Sequence, residues 1–263
     1  MRLLRTHERT GAMSCWSWPA PGTSRSCQLV SGSRARATAC DAAAVAALAS
    51  RTLDHFGQVD VVVNNAGIAT SDSRPLWQTD PQDWQRVLAV NLFGVVHGIQ
   101  AFVPHLVTAG AGHVVNIASL AGLIAMPFGG VYCASKHAVV AISETLRAEL
   151  EAMGLPIGVT VACPALVRTP MAEALFTLAQ ADDDALAEHL PAHLSVQQLR
   201  AQLKHMIANP MEPEVAAERI LVAVETDRFY ALTHGDFEDN IRQRAEGVLA
   251  ALDLVLDVGG CRE

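Results

Sequence analysis

Three short runs dominated by β-branched and other apolar residues constrain this chain most: Val59-Asp60-Val61-Val62-Val63, His113-Val114-Val115-Asn116-Ile117-Ala118 and Pro156-Ile157-Gly158-Val159-Thr160-Val161-Ala162. Near-continuous apolar runs of this length read as strands buried on both faces. Between them, apolar residues recur at helical spacing: Val45, Leu48, Leu53 and Phe56; then Trp84, Val87, Leu88, Leu92, Val95 and Ile99; then Ala138, Val139, Ile142, Leu146 and Leu150. Asp41 is placed to cap the first helix, and Asp80 followed by Pro81 opens the second. Strands alternating with helices predict an α/β chain built on a doubly wound parallel sheet. Phe229-Tyr230-Ala231-Leu232 predicts a last strand, and 236–254 a last helix. With 263 residues, 51% of them hydrophobic, the chain has enough material for one large core, hence a single domain.

Chemistry concentrates near the third helix. The chain holds two tyrosines and two lysines, and Tyr132 and Lys136 stand four residues apart, on one face of a helix. An ammonium beside a phenol favours the phenolate and pulls its pKa down from about 10, which suits a proton donor and acceptor. A solvated pair sharing a helix face is the plainer reading. Ser119 ends the second strand run, where a hydroxyl faces the crevice in which open α/β sheets bind ligands. Asn64-Asn65-Ala66-Gly67 follows the first run, and its glycine lets backbone approach a ligand closely. Asn91 interrupts a helical pattern with a residue that helices disfavour.

Asn64-Asn65-Ala66-Gly67, Asn91, Ser119 and Tyr132-x-x-x-Lys136, in this order and spacing, resemble the short-chain dehydrogenase/reductase family. Pro164-Ala165-Leu166-Val167-Arg168-Thr169 is similar to that family's segment after the next strand, with alanine where glycine is usual. The resemblance covers about residues 38–255. It implies a Rossmann-like fold, NAD or NADP as cofactor, and interconversion of an alcohol and a carbonyl by hydride transfer. It assigns Tyr132 the alcohol proton, Lys136 the tuning of that phenol and a grip on the cofactor ribose, and Ser119 the substrate oxygen. It assigns Asn91 a water that links Lys136 to solvent. Asn65, Ala66 and Gly67 would line the adenosine side, Thr169 would meet the carboxamide, and Asp41, after a strand at Arg36–Cys40, would contact adenine. Ser119 as a strand-end hydroxyl, Asn91 as a buried hydrogen-bonder, and Asp41 and Thr169 as helix caps are the alternatives.

The N-terminal segment departs from that pattern. A glycine-rich turn opening a helix ordinarily holds the pyrophosphate. Here Thr10-Gly11-Ala12-Met13-Ser14 begins suitably, but Cys15 and Ser17 stand where glycines belong. Arg5–Arg9 is too polar for a central strand, and 19–36 reads as loop or disorder. Residues 1–37 are therefore expected to be an atypical segment, with the first βα unit degenerate or missing, before a domain at 38–263. A catalytically silent relative acting through protein contacts is the competing function.

Other features narrow the partners. The net charge of −8, with neither basic run nor repeat, points away from nucleic acid. No apolar run reaches the length of a membrane span, and residues 1–24 lack a signal-peptide core. The six scattered cysteines suit a reducing cytoplasm, they form no close pair with metal-ligand spacing, and no metal is expected. Cys133 reads as a packed thiol rather than a nucleophile. An apolar alcohol or ketone is the expected substrate, with Met126, Phe128 and an insertion at about 171–210 near it. That insertion is either a substrate cover or a solvated helix pair. Helices 81–106 and 132–153 are candidates for pairing in a homodimer or homotetramer.

Overall fold

A computed structural model of the chain describes residues 2–7, 12–17, 39–70, 75–180 and 207–259, with isolated positions between 183 and 204. The chain divides into two compact units, Met1–Thr233 and His234–Glu263. The first contains β1 (Arg2–His7), β2 (Ala12–Ser17), β3 (Val61–Asn64), β4 (Gly112–Ile117), β5 (Ile157–Cys163) and β6 (Tyr230–Leu232), in the spatial order β2-β1-β3-β4-β5-β6. All are parallel except β2, which pairs antiparallel with β1 at one edge. The same unit holds α1 (Ala42–Phe56), α2 (Pro81–Leu88), α3 (Gly94–Ala109), α4 (Gly130–Ala152), α5 (Pro170–Gln180) and α6 (Pro213–Glu225). The second unit contains α7 (Glu238–Gly259).

Strand alternation divides the core. Val62 of β3 and Val114 of β4 face one way, into a cluster with Val45 and Leu48 of α1, Phe102 and Leu106 of α3, and Leu146 and Leu150 of α4. Val61, Val63 and Val115 face the other way, onto Val224 of α6. Successive side chains of a strand point to opposite faces, so the valine runs serve two layers at once. This is the doubly wound α/β architecture. Asp41 caps α1 as expected, accepting from Ala44 N at 3.1 Å, and Asp80 caps α2, accepting from Gln82 N at 2.8 Å.

The N-terminal segment differs from its expectation. Arg2–His7, whose second half reads as too polar for a central strand, is a strand beside β3 in the register Leu3↔Val61, Leu4↔Val62, Arg5↔Val63. Pairing is a backbone matter: the exposed edge of β3 offers N–H and C=O groups that any proline-free segment satisfies. Among the described residues no helix follows this strand directly. β2 comes next and pairs with it antiparallel, Arg2↔Ser17 through His7↔Ala12, so the described part of the first unit is a strand pair. The expected strand at Arg36–Cys40 is a turn at Ala39–Cys40, and residues 36–38 lie outside the described ones.

Among the described residues one helical stretch, Pro81–Ala109, is long and apolar enough by length and composition to cross a membrane, against the expectation that no run reaches that length. Part of its apolar surface faces the core. Val87, Val95, Phe102 and Leu106 are buried, and α3 packs against both α1 and the sheet. The approach to β3 is so close that a Cβ at Gly98 would lie 1.9 Å from Asn64 Oδ1. Asn64 cannot yield cheaply, because its Nδ2 donates to Asn116 Oδ1 at 2.8 Å, and Asn116 Nδ2 donates to Ser143 Oγ at 2.9 Å.

At the amino edge of the sheet a second polar cluster is buried. Thr160 Oγ1 donates to the Arg228 carbonyl at 2.9 Å, which uses its one proton. His113 Nε2, 2.8 Å from Thr160 Oγ1, is therefore the donor of that pair. Gly158 leaves the room: a Cβ there would come within 2.2 Å of His113 Nδ1. Burial lowers the His113 pKa below 6.5, with Asp227 opposing and Arg147 reinforcing the shift.

Two outcomes follow from this packing. Gly98→Ala should destabilise the fold by about 1–3 kcal/mol despite alanine's better helix propensity, read as a lower denaturant midpoint. The unfolded chain protonates His113 below about pH 6.5 and the native chain only at lower pH. Stability should thus be fully present above pH 6.5 and decline as pH falls through that value, and His113→Gln should flatten the decline in a urea series.

Candidate active site

The expected site residues gather at the carboxyl ends of β3, β4 and β5. In parallel sheets of this kind ligands bind outside the carboxyl ends of the strands.

Lys136 lies on α4 and is 3% exposed. A buried ammonium needs acceptors, and Nζ donates to the carbonyl of Ile117, at the end of β4, at 2.9 Å. The same nitrogen lies 5.7 Å from the centroid of the Tyr132 ring. The pair expected to share a helix face therefore meets, and Tyr132 keeps part of its surface open. Backbone crowds in from two sides. A Cβ at Gly67 would sit 3.4 Å from Lys136 Nζ and 3.7 Å from Asn91 Oδ1. A Cβ at Gly122 would sit 2.7 Å from the Lys136 carbonyl oxygen. Gly122 requires glycine, because its Cβ would strike backbone, whereas a Cβ at Gly67 would make only ordinary contact.

Asn91 has a structural reason for its place. It lies in a π-helical turn, Ala89–Phe93, that joins α2 to α3, the kind of widened turn that recurs at functional sites. Its Oδ1 accepts from Ile68 N at 2.8 Å, and its Nδ2 donates to Ile68 O and to Ser135 Oγ, both at 3.0 Å. The fully buried amide thus clamps the loop after Gly67 to both helices.

Ser119 caps the 3-10 turn Leu120–Gly122, accepting from Ala121 N at 3.2 Å and donating to the Pro164 carbonyl at 3.3 Å. It stands at the junction of the β4 and β5 ends and is partly open. Ala66 is buried and Asn65 partly so. Asp41 and Thr169 are engaged locally. Asp41 is exposed at the start of α1, and the Thr169 carbonyl accepts from Ala172 and Glu173 as α5 begins. Val167 bridges Met211, and Arg168 pairs with Glu212 at 2.9 Å, so the two ends of the 171–210 insertion are tied together beside β5. Most of that insertion lies outside the described residues.

Two thiols flank the site and neither is activated. Burial raises the Cys133 pKa and pushes Cys163, at the end of β5, up to about 12, against weaker opposing effects of Ser119 and Lys136. Among the described residues no three His, Cys, Asp or Glu side chains are grouped to hold a metal ion. Sequence reasoning missed Ser135, buried between Asn91 and Tyr132. A serine inside a helix carries no signal of its own, although its place beside Lys136 is one.

The residues around Gly67 suit one part of a dinucleotide. The bare Gly67 backbone lies beside the Lys136 ammonium, a donor suited to ribose hydroxyls. At the other end, Ala12–Ser17 forms a strand where a glycine-rich turn would open a helix, so its described backbone presents no helix N-terminus to a pyrophosphate.

Comparison with known proteins bears on this arrangement. A putative oxidoreductase, SadH, of Mycobacterium tuberculosis is 35% identical over 69% of this chain and 60% of its own length. The 2-(R)-hydroxypropyl-CoM dehydrogenase of Xanthobacter autotrophicus is 36% identical over 59% of this chain and 61% of its own. The chain thus spans about three-fifths of the length of these relatives. A short-chain dehydrogenase/reductase from Burkholderia phymatum, solved in complex with NAD, superposes with a TM-score of 0.68 at 34% identity, covering 82% of this chain and 75% of that one. The family described as short chain dehydrogenase matches residues 24–179, more than half of the sequence, and this chain belongs to that family.

Proposed function

We propose that this chain is an NAD- or NADP-dependent oxidoreductase that interconverts an alcohol and a carbonyl, with Tyr132 as general acid and base. The observation that carries the reading is the buried Lys136 ammonium 5.7 Å from the Tyr132 ring, beside the Gly67 backbone. The bound nicotinamide would supply or accept the hydride. In the reducing direction the Tyr132 hydroxyl gives its proton to the substrate oxygen, and in the oxidising direction its phenolate takes that proton back. Lys136 holds the phenol near ionisation by charge. Ser119 donates to the substrate oxygen and steadies the charge that builds there, exchanging its bond to Pro164 for one to substrate. Asn65, Ala66 and Gly67 line the adenosine side, Asn91 holds the water beside Lys136, Thr169 meets the carboxamide and Asp41 the adenine.

An apolar alcohol or ketone suits the surroundings. Phe128 is held at φ 62°, a conformation a bulky residue seldom adopts without a local reason, and Leu76 packs on Gly130, where a Cβ would meet it at 2.3 Å. The name of the hydroxypropyl-CoM dehydrogenase relative supports an alcohol substrate. The tied 171–210 insertion would act as a cover that excludes water. We place the protein in the cytoplasm, as a homodimer or homotetramer paired through the 81–109 and 130–152 helices, where Phe93 and Met153 are exposed, without nucleic-acid or membrane partners.

One observation favours a second reading, a catalytically silent relative that acts through protein contacts: β1 leads into β2 and not into a helix that would hold the pyrophosphate. Titration with NADH and NADPH, followed by cofactor fluorescence, separates the two. Saturable binding below about millimolar, as is ordinary for enzymes, is expected, and its absence for both would favour the silent relative. Tyr132→Phe should lower turnover of apolar secondary alcohols by about 10²–10⁴-fold with unchanged thermal unfolding; full activity in that variant would exclude Tyr132 from the chemistry.

A further inference from the structure

We infer that Ser135 is a positioning residue that couples the loop after β3 to the turn of α4 carrying Tyr132, and so holds the phenol in register with the Lys136 ammonium. The inference rests on the role proposed for Tyr132.

The direction of every bond in the chain is determined. The Ile68 N–H can meet only an acceptor, so the Asn91 atom 2.8 Å from it is the oxygen. Its amide nitrogen therefore faces Ser135 Oγ, 3.0 Å away, and has hydrogens only to give. Ser135 Oγ accepts that bond and sends its own proton to the Tyr132 carbonyl at 2.7 Å. Ser135 and Asn91 are both 0% exposed, so water cannot replace either bond. The sequence Ile68, Asn91, Ser135, Tyr132 is thus a one-way relay of donors, each polarising the next.

Geometry gives the relay its consequence. Ile68 follows Gly67, which lies beside Lys136 Nζ. The amide that grips Ile68 also grips, through Ser135, the first turn of α4. Cofactor-side loop and proton-donor turn therefore move together. A serine in mid-helix that only bonded back to residue i−3 would bend the helix slightly. This one also fills the last donor of Asn91, which would otherwise be buried and unpaired.

Spectrophotometric titration of tyrosinate tests the inference, because the chain has two tyrosines. Tyr230 is removed by Tyr230→Phe, leaving Tyr132 alone to report. In that background Ser135→Ala should unfold cooperatively and shift the Tyr132 midpoint upward by about one pH unit, a tenfold change in ionisation, because the phenol no longer keeps its register with the ammonium. A folded Ser135→Ala protein that titrates like its parent overturns the inference. Should Ser135→Ala not fold, Ser135→Cys, which retains a weak donor, is read instead: a partial upward shift is expected, and none overturns it. Lys136→Met in the same background tests the underlying reading separately. If Lys136→Met leaves the midpoint unmoved, Lys136 does not tune Tyr132 and the proposed chemistry falls. If it raises the midpoint while Ser135→Ala does not, the chemistry stands and the positioning role fails.

Discussion

A buried ammonium organises the functional edge of this protein. Lys136 has almost no contact with solvent, and a charge in that position persists only where the fold supplies acceptors. One is the Ile117 carbonyl, which lies at the end of β4 and so ties α4 to the centre of the sheet. Gly67 lies beside the ammonium itself, and Gly122 lets its backbone come closer to the Lys136 carbonyl than a Cβ would allow. The Asn91 clamp keeps the first of those loops in place. Tyr132 inherits its surroundings from this packing. The proton chemistry proposed for it depends less on the phenol than on a cation that has nowhere else to go.

The N-terminal hairpin separates two needs that one segment meets in a complete dinucleotide-binding unit. The sheet needs a partner for the β3 edge, and β1 supplies it by backbone bonds. A pyrophosphate needs free N–H groups at a helix start, and the turn from β1 to β2 leads to a strand instead. Meeting the first need preserves the core, because the valine layers of β3 and β4 stay between helices on both faces. Fold and site can therefore be retained in a chain whose phosphate end is altered.

How much was legible depended on where the signal lay. Tyr132, Lys136, Ser119 and Asn65-Ala66-Gly67 announced themselves because their chemistry is local: residue type and spacing already place them on a helix face or at a strand end. Asn91 was visible as a violation of helix preference, and the π-turn and the clamp on Ile68 are what that violation serves. Ser135 was not visible, because a small polar residue in a helix looks alike whether it faces water or a buried amide. His113 was hidden for a similar reason, its partners Thr160, Arg228 and Asp227 being far along the chain. The strand at Arg2–His7 was misjudged from its side chains, since strand pairing is made by backbone and the neighbour's open edge decided it. The helix expected at 81–106 runs through Pro81–Ala109, and the π-turn at Ala89–Phe93 widens it without ending it.

By itself the sequence determined the alternation of strand and helix, the two-faced valine runs, the helix starts at Asp41 and Asp80, and the order of the chemical groups along the chain. These follow from periodicity and local preference, which act over a turn or two. Tertiary structure alone decided which carbonyl receives Lys136, that one asparagine joins the β3 loop to the tyrosine helix, and that the first strand turns back rather than opening a helix. Those outcomes rest on contacts between residues tens of positions apart, and burial, not spacing, selects among the partners that chemistry would allow.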